Sequence, residues 1–347
     1  MTELHVHLDG SLRPETVWEL AREQGIALPA RSVEELRTQM QAPVPCGSLG
    51  EYLSRFAVSM TCLQTEEALE RVAFELGEDM AAEGMDLAEI RFAPQYSTRQ
   101  GLSQEQVTEA VIRGVRRSMD TYPGLRLGLI LCCMRGDDRE TERFNQETLE
   151  LAAVFQKGGV VCGVDLAGAE EVYDTGRFRE LFSRVERLGL KRTIHAGEAA
   201  GPESVWKALE LGAMRIGHGV ASIRDERLVL ELAERKIPLE VCIVSNVQTK
   251  AVPSLAEHPI RRLFDAGVRV TLNTDNRTVS DTTLSREVQV AREAFGFTDQ
   301  EIQRMEEYAR EASFLRQARD GNWRGARTGV KWRPARGRDR QGGRTEK

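Results

Sequence analysis

The sequence predicts an α/β fold: a (β/α)8 barrel with extra helices after the first strand. Three observations carry that expectation. Eight short apolar runs recur along the chain, at Leu4–Leu8, Asp86–Pro94, Leu125–Met134, Val160–Ala167, Arg192–Ala196, Arg215–Val220, Pro238–Val244 and Val268–Asn273. Helical spacing fills the stretches between them. Four of the five histidines fall inside or at the ends of these runs. Near-continuous apolar strands alternating with helices argue for a parallel sheet covered on both faces. Eight such units suit a closed barrel, usually about 250 residues before insertions. The 347 residues exceed that, and the surplus is expected in residues 26–64, which show helices and no strand. A doubly wound open sheet is the alternative. No G-x-G-x-x-G follows any run, which weakens its nucleotide-binding form.

The helices justify themselves locally. Pro14 opens the first, and Gly25 closes it. Thr65–Glu83 reads as a long amphipathic helix. Ser103 and Gln106 occupy capping-box positions before Val107, Val111 and Val115, which recur every fourth residue along one face.

Composition narrows the function. The formal net charge is −6, so the chain as a whole is not built to hold a polyanion. The charge is uneven. Residues 316–347 hold eleven Lys or Arg against three Asp or Glu, a net of +8, which leaves −14 on residues 1–315. We therefore expect a catalytic body over 1–315 and a basic, Arg/Gly-rich, disordered tail over 316–347. An RNA-binding tail is the sharper reading of that segment, and a solvated tail the favoured one. Cysteines stand at 46, 62, 132, 133, 162 and 242 with no C-x-x-C pair. These spacings fit buried reduced thiols in a cytoplasmic protein and not a zinc–thiolate cluster. No leader precedes the first run, and no apolar stretch is long enough to span a membrane.

The chemical residues converge. His5 and His7 sit at i and i+2 and share one strand face, with Leu4, Val6 and Leu8 on the other. His195 ends run five and is followed by Ala196-Gly197-Glu198. His218 lies in run six, and Asp275 follows run eight. The C-terminal ends of barrel strands meet on one face, so these residues would share a pocket. Three imidazoles and one carboxylate suit zinc, with a position left for water. Bound zinc lowers the pKa of that water to about 7, and a remaining His and Glu can move protons. The residues thus predict a metal-assisted hydrolytic enzyme. His258, before Pro259, is expected at the surface.

With these residues in place, the chain resembles the adenosine deaminases of the metal-dependent hydrolase superfamily from His5 to about Phe314. The shared text is His-Val-His-Leu-Asp-Gly-Ser-Leu-Arg-Pro-Glu-Thr at 5–16, Gly-Ile-Ala-Leu-Pro at 25–29, Cys-Cys-Met-Arg at 132–135 and Asp-Leu-Ala-Gly at 165–168. It continues with His-Ala-Gly-Glu at 195–198, Gly-His-Gly at 217–219, Ser-Asn-Val-Gln-Thr at 245–249 and Leu-Asn-Thr-Asp at 272–275. Two-metal relatives on this barrel commonly carry a lysine on strand four, and Val160–Gly168 has none, so one Zn2+ per subunit is expected.

The resemblance implies roles. His5, His7, His195 and Asp275 would bind the metal. Glu198 would protonate purine N1 while activated water adds at C6. His218 would orient or deprotonate that water and stabilise the developing charge, and Asp275 would also accept a hydrogen bond from it. Asp9, with His7 near it, would bind the ribose 5′-hydroxyl. The backbone N–H of Gly168 would meet N3. Leu49, Tyr52, Leu53 and Phe56 match the apolar lid, although their spacing also fits an ordinary helix face. Asn276 stands where better-known members have an Asp. It would donate to N7 without needing a proton, since an amide always can.

The implied substrate is a small-molecule purine nucleoside, with no membrane partner and nucleic acid hinted at only by the tail. Adenine-specific relatives carry Glu in place of Asp9 and Asp before the strand-six His-Gly. Asp9 and Gly217 therefore favour a ribosylated substrate over free adenine, and deamination of a related purine, adenine or a modified adenosine, is the alternative. A catalytically silent purine-binding protein is the reading from another class, and the complete catalytic set argues against it. The zinc deaminases of flipped nucleobases use P-C-x-x-C, which is absent here.

Overall fold

The computed structural model describes residues 1–43 and 46–315. The expected basic tail over 316–347 lies outside the described residues. Eight parallel strands alternate with helices: β1 Thr2–His7, β2 Leu87–Phe92, β3 Arg126–Met134, β4 Val161–Ala167, β5 Thr193–Ala196, β6 Arg215–His218, β7 Leu239–Val241 and β8 Val270–Leu272. They form two four-stranded ladders, β1-β2-β3-β4 and β5-β6-β7-β8. Two bridges join the ladders. Val164 pairs with Arg192, and Val6 pairs with Asp275. At the second seam the His7 N–H donates to the Asp275 carbonyl at 2.6 Å, and the Asp275 N–H donates to the His5 carbonyl at 2.9 Å. The ring is closed as expected. Its closing seam runs through two histidines and the carboxylate of the predicted site.

Five helices lie between β1 and β2, Pro14–Glu23, Val33–Met40, Leu49–Leu53, Phe56–Cys62 and Glu66–Ala82, of which the middle three fall within the expected surplus of residues 26–64. Gly25, just past the first, has φ 67°, the left-handed conformation that glycine adopts without penalty. Ser103 caps the helix Gln104–Thr121 in a complete capping box, and Val107, Val111 and Val115 are all fully buried. Run seven is shorter as a strand than its apolar text. The strand ends at Val241, and Ile243–Gln248 is a helix. A short apolar run does not distinguish a strand from a buried helical turn.

The barrel interior is charged. Arg91 on β2 donates to Asp165 on β4 at 2.8 Å, to Glu240 on β7 at 2.8 Å and to the Leu4 carbonyl at 2.7 Å. Arg215 on β6 reaches Glu240 at 2.6 Å and Glu89 on β2 at 2.7 Å. All five side chains are 1% exposed or less. Removing one member of such a network leaves an uncompensated buried charge, at a cost of about 3–5 kcal/mol.

The lower end is plugged by the chain after the helix Asp299–Ala312. The Ser313 hydroxyl (2.6 Å) and the Phe314 (2.5 Å) and Leu315 (3.2 Å) N–H groups all donate to Glu89 Oε1. The Arg215 guanidinium lies 3.7 Å from the centre of the Phe314 ring. Among the described residues no helix is long and apolar enough to cross a membrane.

Candidate active site

On β1 the alternation puts Glu3, His5 and His7 inward, so the two histidines rise one above the other toward the C-terminal mouth. His195 closes in from β5 and Asp275 from the turn after β8. Gly217 makes this approach possible. A Cβ there would lie 3.2 Å from His195 Cα and 3.2 Å from His5 Cε1, tighter than an ordinary contact. His218 and Asp275 have φ 59° and 61°, a region that costs a non-glycine residue about 1–3 kcal/mol and that clusters at functional sites.

The donor atoms face one point. His5 Nε2 and His7 Nε2 each lie 3.4 Å from Asp275 Oδ1, and His7 Nε2 lies 3.3 Å from His195 Nε2. Zinc–nitrogen bonds of about 2.0–2.1 Å in tetrahedral geometry place ligands about 3.3–3.4 Å apart, so the spacing fits a metal. His5 Nε2 is buried and has no hydrogen-bond partner, as expected of an atom meant for a metal. His5, His195, His218 and Asp275 also present ligand atoms within 4.8 Å of one another. A His/Asp cluster that could hold a metal is therefore present.

The opposite ring nitrogens are held from below. His5 Nδ1 donates to Glu240 at 3.0 Å, and His195 Nδ1 lies 2.9 Å from Asp165 Oδ2. Outer carboxylates of this kind fix the tautomer and the ring direction of ligating histidines. Glu240, Asp165 and Arg91 were not singled out from the sequence. The available signal was a charged side chain inside a strand whose two faces are both buried. The Ser245 hydroxyl donates to Asp275 Oδ2 at 2.6 Å. Burial works to raise the Asp275 pKa, but the surrounding imidazoles outweigh it and hold the carboxyl well below its usual range.

Glu198 follows β5, and its Oε2 lies 3.5 Å from His218 Nε2. Burial, helped by the Asp275 charge, pushes its pKa up to about 7. Its loop is clamped by Glu170, another residue not singled out from the sequence. The Glu170 carboxylate accepts backbone N–H groups from Gly197 (2.6 Å), Glu198 (3.0 Å), Ala199 (2.7 Å) and Ala200 (3.1 Å), and the Ser204 hydroxyl at 2.5 Å. Burial lowers the His218 pKa to about 4, so its ring is neutral at pH 7.

Asp9 lies beside the histidines, its Oδ1 4.0 Å from His7 Nδ1. That oxygen is buried without a hydrogen-bond partner, and burial raises the Asp9 pKa to about 6. Gly168 follows β4 with φ 106°. Asn276 is 4% exposed. One of its amide N–H groups donates to the Tyr52 hydroxyl at 3.0 Å, which leaves the second. A Cβ at Gly10 would overlap the Asn276 amide, so glycine makes room for it.

Two expectations change. Tyr52 is 1% exposed and braces Asn276 and Ser280, whereas Leu53 is 42% exposed. Their neighbour Phe56 is partly buried against Tyr52, and the side chain of Leu49 lies outside the described residues. His258 is not a surface residue. It is 4% exposed and hydrogen-bonds Asn246, because the loop before Pro259 folds inward beneath the helix Ile243–Gln248.

A closed parallel barrel with a histidine–carboxylate cluster at its C-terminal mouth defines the deaminase and amidohydrolase class of barrel enzymes. The chain belongs to the adenosine deaminase family, whose pattern it matches over residues 1–322. It is 41% identical over 316 residues to an adenosine deaminase of Haemophilus ducreyi, covering 90% of this chain and 91% of that protein. Among solved structures it is similar to an adenine deaminase from Arthrobacter aurescens (TM-score 0.82, 29% identity, 92% and 94% coverage). It is also similar to an Arabidopsis N6-mAMP deaminase (TM-score 0.78, 29% identity, 91% and 93% coverage).

Proposed function

We propose that this chain hydrolyses adenosine and 2′-deoxyadenosine to inosine and 2′-deoxyinosine plus ammonia, as a cytoplasmic enzyme of purine salvage. The catalytic unit is the barrel of residues 1–315. The observation that carries the reading is the placement of a protonatable Glu198 beside His218, facing the histidine–aspartate cluster. One Zn2+ per subunit would be held by His5, His7, His195 and Asp275. This assignment is supported by their mutual spacing and by the carboxylates behind His5 and His195. Bound zinc would supply a water acidified to about pKa 7 and positive charge to offset the negative charge that develops on its oxygen.

The remaining work falls to side chains. Glu198, whose raised pKa leaves a large fraction of it protonated at neutral pH, gives that proton to purine N1, which withdraws electrons from C6. Water oxygen bonds to C6 and the C6–N6 bond breaks; of the two protons water gives up, one goes to N6, which leaves as ammonia, and the other restores the Glu198 carboxyl. His218 and Asp275 face the attacking oxygen and orient it. Asp9, with its free buried oxygen, accepts from the ribose 5′-hydroxyl alongside His7. The Gly168 N–H meets N3, and the second N–H of Asn276 meets N7.

Free adenine is the second reading, favoured by the similarity to the Arthrobacter aurescens enzyme. Asp9 and the 41% relative argue for the nucleoside. Glu198→Gln tests the assignment: the variant should keep its zinc and lose about 10²–10⁴-fold in kcat, the usual range for a general acid. Loss of zinc instead would place Glu198 among the metal ligands.

A further inference from the structure

His258 and Asn246 form a buried path to His218 whose hydrogen-bond polarity is fixed at its far end. The Ile260 backbone N–H donates to His258 Nδ1 at 3.2 Å. A backbone N–H can only donate, so Nδ1 carries no proton, and the proton of the neutral ring sits on Nε2. Burial lowers the His258 pKa to about 3, which keeps that ring neutral. His258 Nε2 lies 3.2 Å from Asn246 Oδ1, which therefore accepts. The Asn246 amide N–H then donates to His218 Nδ1 at 2.9 Å. His218 Nδ1 is an acceptor, and its proton sits on Nε2, the nitrogen facing Glu198 and the reacting centre. All three side chains are at most 4% exposed, so water does not scramble the order.

We propose that His258, acting through Asn246, is a positioning residue that locks His218 as the Nε2–H tautomer. The inference rests on the deaminase reading for its catalytic meaning. In that tautomer His218 offers a hydrogen to the oxygen adding at C6 and has no lone pair there to take the proton of water. Of its two expected roles, charge stabilisation is the one selected. Proton transfer stays with Glu198, whose carboxyl faces the same space.

The test is 15N NMR of histidine-labelled, zinc-loaded full chain, in which protonated and unprotonated ring nitrogens have well-separated shifts. Five histidines are assignable by single substitutions. The wild type should show His218 protonated at Nε2 and bare at Nδ1. In His258→Leu the Asn246 amide is free to flip, so His218 Nδ1 should gain proton character. kcat should fall about 10–100-fold, as for other supporting residues, with KM within about 2-fold. His258→Gln, which restores an N–H donor toward Asn246, should recover both the shift pattern and kcat to within a few-fold. A wild-type His218 protonated at Nδ1 overturns the inference, whether or not adenosine is turned over. So does an unchanged His218 spectrum in folded His258→Leu. If the leucine variant fails to fold, the wild-type and glutamine spectra decide alone.

Discussion

Glu198 is an ordinary carboxyl in the unfolded chain, with a pKa of 4.5, and reaches about 7 in its buried loop. The proposed role as acid needs the protonated form, and that fraction falls as pH rises through the folded value. The sign is therefore a loss of kcat/KM on the alkaline side, with a limb near pH 7. The profile measured with adenosine checks this, and a rate that climbs through pH 7–8 would remove Glu198 as the acid. At this scale most of the site was legible. His5, His7, His195, His218, Glu198 and Asp275 stand out because scarce, chemically distinct residues sit at strand ends. His258 was misplaced because a His-Pro pair reads as loop, and nothing local shows that the loop folds inward. The bracing role of Tyr52 is not legible locally, because its hydroxyl partners, Ser280 and Asn276, are more than two hundred residues away along the chain.

The loop after β5 holds its shape through Glu170. Five donors converge on one carboxylate, and truncation would leave each short of a partner. Glu170→Ala should lower kcat/KM by about two orders of magnitude, a loss of roughly 2.7 kcal/mol in transition-state stabilisation. Metal content should hold, because none of the proposed metal donors lies on this loop. Steady-state kinetics with metal analysis checks both, and unchanged kinetics would mean the loop is ordered without its clamp. The strands themselves were legible as continuous apolar runs. The charged residues within them were not read, although Arg91, Asp165 and Glu240 interrupt text that is otherwise fully buried. Their partners lie on other strands, so only the closed ring shows that the charges cancel and point at His5 and His195.

Across the whole barrel, one polar column links the mouth to the base. It runs from the histidines through Asp165, Glu240, Arg91 and Arg215 to Glu89 and the Phe314 plug. Phe314 is 5% exposed and stacks on Arg215. Phe314→Ala should therefore destabilise the fold by about 3–5 kcal/mol, the range for a buried aromatic, while leaving KM near its wild-type value. Denaturant melts check this, and a change below about 1 kcal/mol would mean the plug adds little. The closed ring was readable from eight alternating units, whereas the charged interior that ties site to base was not.

This barrel deaminates a purine nucleoside. The most direct measurement is the absorbance change on incubating purified, zinc-loaded protein with adenosine, 2′-deoxyadenosine, adenine and AMP in parallel. Rapid turnover of both nucleosides, with adenine and AMP slower by at least about two orders of magnitude, is the predicted result. Turnover of adenine without either nucleoside would contradict it.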